Sequence, residues 1–259
     1  MPVIESRVDG LHGLLRAVLV IAESLHHGSF LWFRGINRSD HKLAPSILRQ
    51  GKTSQDVFER ERRLLTRFRQ RSLAYWPSGY PQSDWEHLFA MQHFGIPTRL
   101  LDWTENLFMA AYFALNTLPE DTAEIPAVFC LDPVEWNRAT PVLSEFGESI
   151  QVLTTSDEEA DPYRPDTNRK RNKTPVALYG THNSSRIIAQ RGTFMVWGTD
   201  TRPLEDFAGE LQGRVWKLRL DGNREKLRQS LTKIGFVETM VFPELPSLAR
   251  ELTSQEGWR

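Results

Sequence analysis

SDWEHLFAMQHFGIPTRLLDWTENLFMAAYFAL, running from Ser83 to Leu115, is the stretch that decides how this chain reads. Ser83 followed three residues later by Glu86 is a capping-box signature for a helix start. Trp85, Leu88, Phe89 and Gln92 then recur at helical spacing. Gly95 ends that helix and Pro97 prevents its resumption. Arg99 to Trp103 is short and apolar, as a buried strand would be, and Thr104 is placed to cap a second helix over Glu105–Leu115. Leu107, Ala110, Ala111, Ala114 and Leu115 give that helix a small-residue packing face. Where strand hands over to helix, Asp102, Trp103 and Thr104 present a carboxylate, an indole and a hydroxyl beside helix-start amides that favour anions. Two readings stand: a ligand site, or a helix cap next to a core tryptophan.

Composition bounds the rest. The 259 residues suffice for one large α/β or α+β domain, or two small ones, and 40% hydrophobic with 25% charged residues is ordinary for a globular chain. A lone cysteine, Cys130, allows no intramolecular disulfide, fits a reducing cytoplasm, and sits in the apolar run AVFCL as a buried thiol would. Glu5, Arg7 and Asp9 precede any apolar run, so no secretory leader is expected, and no apolar segment reaches membrane-spanning length. With a formal net charge of −1, any nucleic-acid contact must come from local segregation of charge. His87 and His93 lack a carboxylate at metal-ligand spacing, so no metal site is expected. His182, Ser184 and Ser185 form no nucleophile elbow, and the chain has neither a P-loop nor a Rossmann glycine fingerprint.

Upstream, Leu11 to Leu25 has the periodicity of an amphipathic helix, and Phe30–Phe33 reads as an aromatic strand ending at Arg34-Gly35. A guanidinium at the end of a buried strand keeps its charge and must find a partner. For Arg34 that is either a phosphate or carboxylate ligand, or a structural ion pair with Asp102 or another acid. A long helix is expected from Ser54 to about Trp76, carrying Arg60, Arg62, Arg63, Arg67, Arg69 and Arg71, with Phe68, Tyr75 and Trp76 close by. That combination suits a single-stranded nucleic acid, or is simply a solvated helix face. Residues 154–174 turn from acidic to basic with few apolar positions, as a mobile insertion or lid would. Arg164, Arg169, Lys170, Arg171 and Lys173 there could track phosphates. Strands are expected at Ala127–Leu131, Val176–Tyr179, the segment after Gly192, and Arg214–Leu220. A last strand, Phe236–Phe242, would carry Glu238, between helices at Glu225–Ile234 and Pro246–Leu252.

Phe33-Arg34-Gly35, followed by the run Gln92-His93-Phe94-Gly95-Ile96-Pro97-Thr98-Arg99-Leu100-Leu101-Asp102-Trp103-Thr104, resembles the FRG domain family. The Tyr112–Ala114 helix end, Arg186–Phe194 and Phe242-Pro243-Glu244-Leu245 add to the match, which spans roughly residues 25 to 252. The resemblance extends to ADP-ribosyltransferase toxins of bacterial phage-defence toxin–antitoxin systems. It implies a single α+β domain over residues 1–259, with a central split sheet of ADP-ribosyltransferase type, a helical insertion near residues 40–95, and NAD as substrate. RNA is the implied target, an antitoxin protein the implied partner, and the cytoplasm the implied location, with no membrane. By the same resemblance Arg34 holds NAD, Gly35, Trp103, Thr104 and Thr193 line the cofactor, and Asp102 orients Arg34 or a ribose hydroxyl. For the late catalytic position the candidates are Gln190 and Glu238; for RNA they are Arg60, Arg62, Arg63, Arg67, Arg69, Lys170 and Arg171. NAD hydrolysis and non-catalytic nucleotide or RNA binding are the rival readings.

Overall fold

A computed structural model describes residues 3–49, 53–76, 79–116, 125–149, 151–181, 185–211 and 214–258. His182 and Ser184 lie outside the described residues. The first half of the chain forms β1 (Ile4–Asp9), α1 (Gly10–Glu23), β2 (Trp32–Ile36), α2 (Ser54–Ser72), α3 (Asp84–His93), β3 (Leu100–Thr104) and α4 (Leu107–Asn116). Then come β4 (Ala127–Leu131), α5 (Pro133–Ala139), β5 (Val176–Leu178), α6 (Ser185–Gln190) and β6 (Gly192–Val196). The chain closes with α7 (Leu204–Leu211), β7 (Val215–Asp221), α8 (Arg224–Lys233), α9 (Glu238–Val241) and α10 (Leu245–Gln255). The class is α+β, built on one mixed sheet with strand order β1-β7-β4-β2-β3-β6-β5. Only β1 and β7 run parallel; the other pairs among the described residues are antiparallel.

The sheet is stitched unevenly. β2 pairs with β4 along its whole length but meets β3 through the single pair Phe33–Thr104. Beyond that pair the two halves of the sheet part, and the backbone groups of β3 facing β2 need other partners. Side chains alternate across the pleat, so each half-sheet feeds two cores. Phe33, Val128, Cys130 and Leu218 face α4 and α1. Trp32, Leu101, Trp103, Phe129 and Met195 face Leu43, Ile47 and Leu48 on the opposite side. Leu100, Phe194 and Val196 pack under α3 through Phe89. Burial alone pushes the Cys130 thiol well above its ordinary range, leaving an inert core thiol.

Several local expectations need correction. Asn106, not Thr104, caps α4: its side-chain oxygen accepts from the amides of Phe108 and Met109 at 3.0 and 3.2 Å. Thr104 ends β3 instead. Ser83 does cap α3 through the Glu86 amide at 3.2 Å, but Glu86 reaches back to the amide of Gln82. The expected strand over Phe236–Phe242 is instead a turn leading into α9, so Glu238 is helical. Segment 154–174 is packed and does not stand away as a lid. Tyr163 is buried, its hydroxyl donates to the Thr174 carbonyl, and Arg171 lies 4.0 Å over the Phe58 ring. β1 escaped the sequence reading because Glu5, Arg7 and Asp9 alternate on a polar edge strand, which carries no hydrophobic period.

Candidate functional site: a cationic cleft where the sheet divides

The gap between β2 and β3 opens into a cleft of about 780 Å³, within the span of about 300–1,000 Å³ common to small-molecule sites. Arg34 stands at its head. Its Nη1 donates across the divide to the main-chain carbonyl of Asp102, satisfying an oxygen that a fully zipped β2–β3 ladder would have claimed. Nε of Arg34 has no partner among the described residues, so donors remain for a ligand. Burial is the main influence lowering the Arg34 pKa; Asp102 opposes the shift and Arg49 adds to it. A guanidinium stays charged at neutral pH even so. The structural ion pair weighed for Arg34 is therefore replaced by a side chain-to-carbonyl bond.

The Asp102 carboxylate is turned to Gln92, whose Nε2 donates to it at 2.6 Å. Gln92 is itself fixed, because the buried Thr98 hydroxyl donates to its side-chain oxygen at 2.5 Å. That orients the amide with its N–H groups toward the carboxylate. Around this centre the cleft wall carries Lys42, Arg49 and Arg186 besides Arg34, and among the described residues Asp102 is the only acid that lines it. The Arg186 guanidinium lies over the Phe242 ring, 4.6 Å from its centroid. Its pKa is lowered by burial and held up by Asp102 and Glu244. Such a surface attracts anions.

The structure brings Arg34, Gly35, Asp102, Trp103, Thr104 and Gln190 to this cleft and leaves Thr193 and Glu238 out of its lining. Of those it brings, Arg34 and Asp102 keep groups for a ligand, and the Trp103 indole N–H, though without a partner among the described residues, is buried. Gly35 is needed for packing: a Cβ on it would overlap the Ala110 carbonyl oxygen in α4. Trp103 is 3% exposed with its ring in the core, so it is not a stacking platform. The Thr104 hydroxyl donates to the Gln190 carbonyl at 2.6 Å and accepts from the Asn106 amide at 3.0 Å. Gln190 spends its side-chain amide on the Val241 carbonyl, at 3.0 Å. Thr193, opposite Trp103 across the strands, is buried with its hydroxyl unpartnered among the described residues. Glu238 pairs with Arg250 on the neighbouring α10.

The nucleic-acid candidates stand outside the cleft lining. Arg62, Arg63 and Arg67 are exposed along α2, with Arg63 only 3.7 Å from Glu59. Arg60 is half-buried, and Arg69 is tied to the buried carboxylate of Asp84. Lys170 is exposed, whereas Arg171 is occupied by the carbonyls of Arg164 and Pro165 at 2.8 Å. Among the described residues no cluster of His, Cys, Asp and Glu could hold a metal ion, and no helix is long and apolar enough to cross a membrane. Sequence reading missed Lys42, Arg49, Arg186 and His93 as cleft residues. Lys42 and Arg49 lie in an aperiodic stretch with no motif to flag them, whereas His93 and Arg186 fall in segments that carried the family resemblance.

Residues 29–123 match the FRG domain family model, and the chain carries an FRG domain there. No curated protein and no solved structure matches the chain. The matched segment contains Arg34, Lys42, Arg49, Gln92, His93 and Asp102. Arg186, Gln190, Gly192 and Phe194 enter the cleft from beyond it.

Proposed function

We propose that this chain is an ADP-ribosyltransferase that takes ADP-ribose from NAD and passes it to a nucleic acid, single-stranded RNA, as a toxin in phage defence. One observation supports this reading above others: at the divide of the sheet, Arg34, Lys42, Arg49 and Arg186 line one cleft with a single carboxylate among the described residues, that of Asp102. Guanidinium forks suit a diphosphate. Two half-sheets that meet at one residue pair are compatible with a split sheet of ADP-ribosyltransferase type.

In this scheme Arg34 and Arg49 hold the diphosphate, and Asp102 faces the nicotinamide ribose. The bond from ribose C1′ to the nicotinamide nitrogen breaks, its electron pair leaving with neutral nicotinamide. Positive charge then develops on the ribose, and the Asp102 carboxylate, fixed in orientation by Gln92, stabilises it. A lone pair from the RNA closes on C1′, and the proton it displaces leaves through a base. The exposed Arg62, Arg63 and Arg67 on α2 draw the strand in through its phosphates. Water in place of RNA would give free ADP-ribose.

A second reading is favoured by one specific finding. Among the described residues no glutamate lines the cleft, and Glu238 is engaged with Arg250. A nucleotide- or RNA-binding module without chemistry would look the same in those respects. Incubating the chain with labelled NAD and RNA, DNA or protein separates the readings. Label is expected in RNA. Free ADP-ribose alone would indicate a hydrolase, bound but intact NAD a binding module, and neither binding nor turnover would refute both. In cells, expression is expected to arrest growth, with relief by Arg34→Ala or by a co-expressed antitoxin protein.

A further inference from the structure

His93 ends α3 on the wall of the cleft, half-buried, with no hydrogen-bond partner among the described residues. Its ring is edge-on to Phe94 at 4.7 Å. The charged groups acting on it are Arg186 from α6, Glu244 at the start of α10, and Asp102 from β3. Arg186 lies on the same wall, makes no hydrogen bond or ion pair among the described residues, and is held by the Phe242 face. Among the cleft cations Arg49 acts on Arg34 and Arg186 acts on His93, while Asp102 acts on Arg34, Arg186 and His93 alike. A diphosphate held by Arg34 and Arg49 leaves Arg186 and His93 for a second ligand.

We propose that Arg186 and His93 form the acceptor subsite, with Arg186 gripping a backbone phosphate of the RNA and His93 taking the proton from the attacking RNA atom. The inference rests on the transfer reading above and adds the base that the scheme lacks. As the C1′–nicotinamide bond breaks, the acceptor N–H or O–H places its lone pair on C1′. Its proton passes to a ring nitrogen of His93 and then to solvent. A base in this position must be neutral. Burial lowers the His93 pKa below the ordinary imidazole value and Arg186 lowers it further, while Glu244 and Asp102 oppose them. The free imidazole is therefore the resting form at neutral pH.

The test measures label transfer from NAD to a single-stranded RNA oligonucleotide, and free ADP-ribose release, in the same reactions. His93→Ala is expected to cut transfer by about 100-fold or more, the usual scale for losing a general base. NAD affinity should hold, and added imidazole should restore part of the rate. The acid limb of the wild-type pH profile should vanish. Arg186→Gln should raise KM for RNA and leave KM for NAD unchanged. Transfer by His93→Ala at the wild-type rate and pH dependence would overturn the proposal. A rise in KM for NAD with Arg186→Gln would overturn it as well, and that variant decides the matter if His93→Ala fails to fold. Wild-type protein that cleaves no NAD would remove the transferase reading itself, a result distinct from either variant outcome.

Discussion

Arg99 and Glu61 are both shut off from solvent and clasp one another, Nε to carboxylate, at 2.8 Å. The same carboxylate accepts the Arg99 amide at 2.9 Å. The remaining guanidinium nitrogens donate to the carbonyls of Trp197 and Tyr163, and the Phe58 ring covers the group at 4.4 Å. One side chain therefore ties β3 to α2, to the end of β6 and to the 158–163 turn. The motif arginine in Thr98-Arg99-Leu100 is a structural rivet, well apart in role from Arg34.

Breaking this pair from one side leaves an uncompensated charge in the core. Arg99→Met or Glu61→Gln is expected to cost about 3–5 kcal/mol, read from urea unfolding midpoints. The joint replacement Arg99→Met with Glu61→Leu should cost clearly less than the sum, because no orphan charge remains.

Arg34→Lys retains the charge but not the planar fork. Loss of one charge-assisted hydrogen bond is worth about 1.5–3 kcal/mol, so NAD affinity should fall by about 10- to 150-fold in calorimetric titration. Unchanged affinity would place the dinucleotide elsewhere. Glu238→Gln, which weakens the Arg250 pair outside the cleft lining, should leave NAD turnover at the wild-type level.

Gly35→Ala tests packing. Its new Cβ would meet the main chain of α4 at Ala110 and Ala114, which cannot swing aside as a side chain would. Over-packing of this kind costs about 1–3 kcal/mol or more. Thermal unfolding should therefore show a lowered Tm for Gly35→Ala where Arg34→Lys shows little change.

His87 gives a pH dependence with a definite sign. It is 2% exposed, its Nδ1 donates to the Ser83 carbonyl at 2.8 Å, and burial is the main cause of its lowered pKa. The Ser83 carbonyl and Glu86 oppose that shift, and Arg69 reinforces it. Protonation therefore favours the unfolded chain, whose imidazoles titrate near about 6.5. The contribution is complete above that value and is lost as pH falls below it. His87→Gln should flatten the slope of stability between about pH 7 and 5. His93 acts in the same direction, so His93→Gln run alongside separates the two shares.

The exposed row on α2 predicts a salt effect. If Arg62, Arg63 and Arg67 each neutralise a phosphate, replacing all three with Glu should reduce the log–log salt slope of RNA binding by about 2 or more. Tm should barely move, since all three side chains are exposed. An unchanged slope would remove this face from the interface.

What could be read from residue order was whatever acts over a few positions. Ser83 starts α3, Gly95 follows its end with φ 77°, and the apolar runs at β3, β4 and β6 form buried strands. Those features depend on local hydrogen bonds, backbone freedom and hydrophobic period. Phe236–Phe242 misled because Val237, Thr239 and Val241 have strand-forming side chains, yet the segment becomes a turn and a short helix that the Gln190 amide caps by donating to the Val241 carbonyl. Only the tertiary structure decided which polar groups remain for a ligand. Thr104 and Gln190 are consumed by hydrogen bonds to partners far off in the chain and the Trp103 ring by the core, while Arg186 and His93 make no hydrogen bond or ion pair among the described residues. The order of residues names the groups that could act; a bond made across 86 or 51 residues decides which of them are already spoken for.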